Sequence, residues 1–127
     1  MKRSSREPSR LASFGYAVNG IAEAVRTEGH MRFHLFAAAA VVACASWLRV
    51  GRDDWLWLGM AIALVIAAEL MNTAVERTVD LASGGASHPL AKAAKDAAAG
   101  AVLVTAIFAA IVGLAVLGPP LRQALFG

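Results

Sequence analysis

Glu69, Asn72, Glu76 and Asp80 combine residue types and spacing that chemistry can use, because they recur at intervals of three and four inside a long apolar stretch. At about 100° per residue they fall within roughly a quarter of a helix circumference, so they form one polar stripe. Carboxylates placed this way can take a proton from a hydroxyl or hold a hard divalent cation through oxygen. Ionisable groups inside membrane helices are costly and serve function by default. The alternative is a polar network that only fastens one helix to another.

Other charged groups are placed to converge on the stripe. Glu28 precedes Arg32 by four residues, and Lys92, Lys95 and Asp96 follow His88 and Pro89. Glu28 and Glu76 could hold Mg²⁺, which accepts carboxylate oxygens together with substrate phosphates. Lys95 could neutralise phosphate charge. The plainer alternatives are an i,i+4 pair between Glu28 and Arg32, and a solvated helix start with an ion pair at Lys92, Lys95 and Asp96. No GxxxxGK[ST], GxGxxG, HRD or DFG run is present, and HExxH is missing too. Phosphoryl transfer here would therefore use neither a P-loop nor a protein-kinase scaffold. His30 and His34 stand four apart without a third ligand spaced near them, which gives a metal role little support.

The elements that must position these groups are helices in a bilayer. Hydrophobic residues make up 58% of the 127 residues and charged residues 17%, with a mean hydropathy of +0.59. Soluble domains sit near 45–50% apolar and about 25% charged. The chain is long enough for one membrane domain over 1–127, all-α, with three spans. Residues 1–10 read as a flexible basic start. Leu11, Phe14, Val18, Ile21 and Val25 make one apolar stripe of an amphipathic helix over 11–28, suited to the membrane surface. Membrane helices are expected over 31–50, 55–82 and 89–117, with Ser87 as N-cap of the last and Gly118-Pro119-Pro120 as its stop. Counted from Trp55, Glu69 lies about 21 Å along its helix, against a hydrocarbon thickness of about 30 Å. Asp80 would stand in water. A stripe joining a membrane-embedded carboxylate to a water-exposed one suits a reaction between a lipid alcohol and a soluble, charged substrate.

Nine Lys or Arg residues (Lys2, Arg3, Arg6, Arg10, Arg26, Arg32, Arg77, Lys92 and Lys95) fall on one side of the spans, and three (Arg49, Arg52 and Arg122) on the other. This places the N-terminus and the 84–88 connection in the cytoplasm and the C-terminus opposite. The net charge of +3 does not point to nucleic acid, because the aromatic residues lie in apolar runs and not among the basic ones. No nucleic-acid partner is expected. The single Cys44 excludes an internal disulfide and a CxxC site. The first thirty residues lack an uninterrupted apolar core, so no cleavable signal segment is expected.

The runs ELMNTAVE over 69–76 with Asp80 beyond it, HPLAKAAKD over 88–96 and AAGAVL over 98–103 resemble the small prokaryotic integral-membrane diacylglycerol kinase family. EGHMR over 28–32 and FGYAVNG over 14–20 fit the same pattern, and the resemblance runs collinearly over about residues 10–118. The form at 88–103 resembles the branch of that family that phosphorylates undecaprenol. The resemblance implies a homotrimer of three-span subunits in the bacterial cytoplasmic membrane, each with a surface helix, and active sites shared between neighbours. It implies ATP as phosphoryl donor, Mg²⁺ as cofactor and a lipid alcohol as acceptor. Carried over by position, Glu69 is the general base, and Glu28 and Glu76 are the metal ligands. Tyr16, Glu28, Glu76, Asp80, Ser87, His88, Lys95 and Asp96 border the ATP. Arg10, Asn72 and Ala99 support the site or the lipid. Ala17 stands where a serine is common in relatives, which removes a hydroxyl, and Ser87 stands where an aromatic or acidic contact is found.

Two readings from other classes stay open at this point. One is a small proton-coupled transporter subunit using Glu69 for exchange, and the other is a structural membrane protein. Neither needs Glu28, Lys95 or Asp96. Within the kinase reading, undecaprenol is the expected acceptor and diacylglycerol the alternative. The neighbourhood of Glu69 offers Val65, Ile66, Ala68, Leu70 and Met71, and few donors for ester carbonyls beyond Asn72, Thr73 and Thr105.

Overall fold

A computed structural model describes residues 9–127. The basic start expected over 1–10 lies largely outside these residues, with Lys2, Arg3 and Arg6. Its last two positions differ from expectation. Ser9 caps the first helix by accepting a hydrogen bond from the Ala12 N–H at 3.2 Å, and Arg10 is already helical. Four helices follow in order: α1 Arg10–Thr27, α2 Gly29–Leu48, α3 Arg52–Ser83 and α4 Pro89–Phe126. The all-α architecture is as expected, and α2, α3 and α4 are each long and apolar enough to cross a membrane.

The junctions show how the sequence sets the helix ends. Glu28 alone breaks α1 from α2, in extended conformation. The Arg32 guanidinium then donates to the Val25 and Arg26 carbonyls at 3.3 and 2.9 Å, which satisfies exposed acceptors at the end of α1. Arg32 therefore does not form the i,i+4 pair with Glu28 that the spacing allowed. At the end of α2, Arg49 turns left-handed (φ 54°), and the Arg49 and Val50 N–H groups donate to the Ser46 and Ala45 carbonyls. The turn is tighter than the polar run suggested. α3 starts at Arg52 and not near Trp55, with Asp53 and Asp54 in its first turn. Negative charge is stabilised there by the helix dipole. Gly84 (φ 59°) and Gly85 (φ 77°) end α3 in the left-handed region that glycine adopts freely.

Two expected boundaries of the last helix need correction. The N-cap of α4 is His88, whose Nδ1 accepts from the Leu90 N–H at 3.1 Å, and not Ser87. Pro89 occupies the first helical position, where its missing N–H costs nothing. At the other end α4 continues through Pro119 and Pro120 to Phe126. Proline carries a helical φ, and its penalty is a lost donor and a clash one turn back. Membrane helices accommodate both by local adjustment.

Leu58, Ala61, Val65, Glu69 and Thr73 are the buried residues of α3, and they recur at intervals of three and four along one face. Near the Trp55 end this face packs with Ala45 of α2 and Val112 of α4 into an apolar cluster. Small residues such as Ala45 and Ala61 let the helices approach closely. Toward the other end the same face becomes polar at Glu69 and Thr73. The packing that seals the bundle at one end thus carries a carboxylate into its interior at the other. The outer face of α4 stays uncovered: Val104, Ile111 and Leu114 are 67%, 61% and 75% exposed. Such a face requires lipid or another subunit.

Candidate active site

Glu69 is 5% exposed, the most enclosed carboxylate among the described residues. Its Oε1 lies 3.1 Å from Nε2 of His34, which α2 presents from its second turn. One turn toward water, the Asn72 amide donates to Glu76 Oε1 at 3.2 Å. The Asn72 Oδ1 is buried without a hydrogen-bond partner. An unpartnered buried acceptor is costly and marks a place where a donor or cation belongs.

Next along α3, Arg77 is the hub joining α1 to α3. Its guanidinium reaches Glu23 Oε1 at 3.3 Å, Thr27 Oγ1 at 2.9 Å and Glu28 Oε1 at 3.6 Å. Glu28 also accepts from the Thr27 hydroxyl at 3.3 Å. Glu28 and Glu76 are both half-buried and belong to one end of the bundle, since Arg77 adjoins Glu76 in the chain. Glu28, Glu76 and Asn72 Oδ1 are each oxygen donors of the kind a hard cation takes. No cluster of three or more His, Cys, Asp or Glu side chains occurs among the described residues. Mg²⁺ does not require one, because substrate phosphates and waters complete its shell. The residues present fit that ion.

At the water end a cleft of about 310 Å³ opens between the end of α3 and the start of α4, lined among others by Asp80, Ser87, His88, Lys92, Lys95 and Asp96. Lys95 is paired to Asp80 across the two helices, and Lys92 to Asp96 along one. Asp96 raises the pKa of Lys92 by accepting its hydrogen bond and by its charge. On the other side of the 84–88 loop an apolar groove of about 530 Å³ runs past Val79, Ala82, Leu90 and Ala91. Cations beside an apolar wall can receive phosphates together with an aromatic base.

Of the residues singled out from sequence, Asn72 meets Glu76, Asp80 meets Lys95, and Ser87, His88 and Asp96 share their cleft. Glu69 lies deeper on the same helix. Arg10 and Tyr16 are exposed on α1, and Ala99 is exposed on α4. None of these three takes part in the side-chain hydrogen bonds of the cleft among the described residues. His34 and Arg77 are not distinguished by sequence, where His34 stands as half of a histidine pair and Arg77 as a topological charge. His30 is exposed and does not join His34. A lone histidine at the entry of an apolar run was the available signal for His34.

The prokaryotic diacylglycerol kinase family model matches residues 15–117. The chain is 46% identical over 109 residues to the undecaprenol kinase of Bacillus subtilis, which covers 86% of this chain and 88% of that one. It is also 46% identical over 114 residues to a diacylglycerol kinase of Synechocystis, covering 90% of this chain and 65% of that one. With the diacylglycerol kinase of Escherichia coli K12 the identity is 33% over 101 residues, covering 80% and 82%. A buried carboxylate on α3 and a cleft between α3 and α4 that holds Lys92 and Lys95, in a chain this similar along most of its length, make it a member of the prokaryotic diacylglycerol kinase family of membrane lipid kinases.

Proposed function

We propose that the chain transfers the γ-phosphoryl group of ATP to the hydroxyl of a lipid alcohol, with Glu69 as general base. The observation that carries this reading is the placement of Glu69 on the buried face of a membrane helix whose water end opens on Lys92 and Lys95. The lipid hydroxyl gives its proton to Glu69 as its oxygen bonds to the γ-phosphorus. The bond from that phosphorus to the β-bridging oxygen breaks, and ADP leaves. Phosphoryl transfer needs positioning and charge neutralisation more than covalent chemistry. Lys95 and Lys92 supply positive charge, while Asp80 and Asp96 hold the two ammonium groups in place. His88 and Ser87 border the nucleotide. Glu28 and Glu76 would hold Mg²⁺, which would supply charge neutralisation for the phosphates.

Arg10, Tyr16 and Ala99 belong to this reading through the assembly. They stand apart from the cleft of their own chain, and the apolar face of α4 is uncovered, which supports a homotrimer with sites shared between neighbours. The Lys and Arg distribution supports an orientation with the N-terminus and the cleft in the cytoplasm and the C-terminus opposite.

For the acceptor we favour undecaprenol over diacylglycerol. A groove of about 370 Å³ between α1 and α3 passes Gly20, Ile21, Leu70 and Thr73, the last one turn beyond Glu69 on α3, and is mostly apolar. A single isoprenoid chain suits it, whereas ester carbonyls would find few donors. The test is phosphorylation by the purified full chain in mixed micelles holding both lipids with limiting ATP. Undecaprenol is expected to be phosphorylated preferentially. A kcat/KM ratio favouring diacylglycerol by about tenfold, or 1.4 kcal/mol, would reverse the choice of acceptor. Absence of any ATP-dependent lipid labelling would reject the kinase reading.

A further inference from the structure

The proposed reaction leaves one buried ionisable group unused. His34 Nε2 stands 3.1 Å from Glu69 Oε1, and the two side chains are only 16% and 7% exposed. Stability does not explain such a pair, because apolar residues of similar volume commonly serve as well or better in a buried position. Nor does coordination explain it, since His30 is exposed and no group of three or more His, Cys, Asp or Glu occurs among the described residues.

We propose that His34 is a positioning residue for the proton-accepting carboxylate, an inference that rests on the reading of Glu69 as general base. Facing an ionised carboxylate, Nε2 must be the protonated nitrogen of the imidazole. Its N–H donates to Glu69 Oε1. The carboxylate is thereby held by one oxygen, and Oε2 is left to take the lipid proton. This matters because glutamate reaches its carboxylate through several rotatable bonds, and an untethered carboxylate would sample positions far from the hydroxyl. His34 sits within α2, and the Phe33 ring meets the imidazole edge-on at a centroid distance of 5.4 Å. The division of labour is therefore spatial. α3 carries the base, and α2 sets its direction.

The proposal separates His34 from the nucleotide end of the site. Neither Glu28 nor Glu76 contacts it in the hydrogen bonds and ion pairs of the described residues, so its removal should affect the chemical step and not MgATP binding. The experiment uses the full chain in mixed micelles with MgATP, with undecaprenol and diacylglycerol assayed in parallel. His34→Leu removes the donor and keeps apolar bulk. His34→Gln keeps an N–H near the position of Nε2. The expected result is a kcat lower by about 10²-fold in His34→Leu with KM for MgATP within about twofold, as for a misplaced reacting group. His34→Gln should recover about tenfold of that loss or more. In a Glu69→Gln background, His34→Leu should cost nothing further, because the two act as one unit.

Wild-type kcat in His34→Leu overturns the proposal. So does an equal loss in the leucine and glutamine variants, which marks a merely structural pair, or an effect confined to the KM for MgATP. If His34→Leu does not fold by its melting curve, His34→Asn takes its place. Its shorter amide cannot reach Oε1, and it must show the same kcat loss for the proposal to stand. Glu69→Gln alone tells the two readings apart. Turnover retained by Glu69→Gln rejects the base assignment itself, whereas an inactive Glu69→Gln beside a fully active His34→Leu rejects only the role of His34.

Discussion

The two ends of the polar stripe on α3 use similar groups under opposite conditions. At the buried end, Glu69 faces His34 with side chains 7% and 16% exposed. At the wet end, Asp80 faces Lys95 at 59% and 38%, and Asp96 faces Lys92 at 62% and 79%. Water and salt screen the wet pairs, so each contributes little alone, and each can exchange its partner for a phosphate without a large penalty. The buried pair has no such substitute, since removing one member leaves the other uncompensated. The wet end thus presents exchangeable ammonium groups from α4 against Asp80 of α3, and the buried end a fixed carboxylate of α3 itself.

The sharpest break of this contrast is Glu69→Gln. Loss of a general base is worth about 10²–10⁴ in kcat, and ATP binding at the wet end should persist. Steady-state kinetics with nucleotide titration checks both, and a Gln variant that turns over freely ends the assignment. Next come Glu28→Gln and Glu76→Gln, each expected to weaken Mg²⁺-dependent nucleotide binding by about 10–100-fold. Unchanged MgATP titrations in both variants would take them out of the cation site. A smaller effect is expected at the α1–α3 hub. Arg77→Met loses contacts to Glu23, Thr27 and Glu28 from a half-exposed position, which is worth about 1 kcal/mol or less. Equilibrium unfolding in detergent at low and high salt measures it, and the difference from wild type should shrink with salt.

The smallest effect belongs to Lys92. Asp96 holds its folded-state pKa above the ordinary 10.5. A raised pKa adds stability that is fully present below the unfolded value and is lost as pH rises through the folded one. The contribution should therefore be constant at neutral pH and fade only above 10.5. In Asp96→Asn the Lys92 titration, followed by NMR of a specifically labelled amine, should return toward the ordinary value. An unchanged titration would mean that the pair does not persist in solution.

Much of the fold and part of the site could be read from local pattern. Apolar run lengths marked three spans, and the 3.6-residue period placed Glu69, Asn72, Glu76 and Asp80 on one face. Gly84 and Gly85 marked a helix end because few other residues adopt positive φ freely. Where local rules competed, the reading erred. Pro119 and Pro120 predict a stop although α4 runs to Phe126, and Ser87 fits the cap that His88 provides. Both errors weigh single-residue propensities above the surrounding helix.

Spacing within one helix is enough to fix the membrane spans, the polar stripe and the carboxylates on it. Which side chain on another helix meets each of them was decided only in the tertiary structure. Glu28 has Arg32 four residues away in sequence and yet pairs with Arg77. Glu69 meets His34, thirty-five positions earlier in the chain. The physical reason is that periodicity states which residues share a face but not which faces pack, and packing is settled where helices approach closely at small residues such as Ala45 and Ala61.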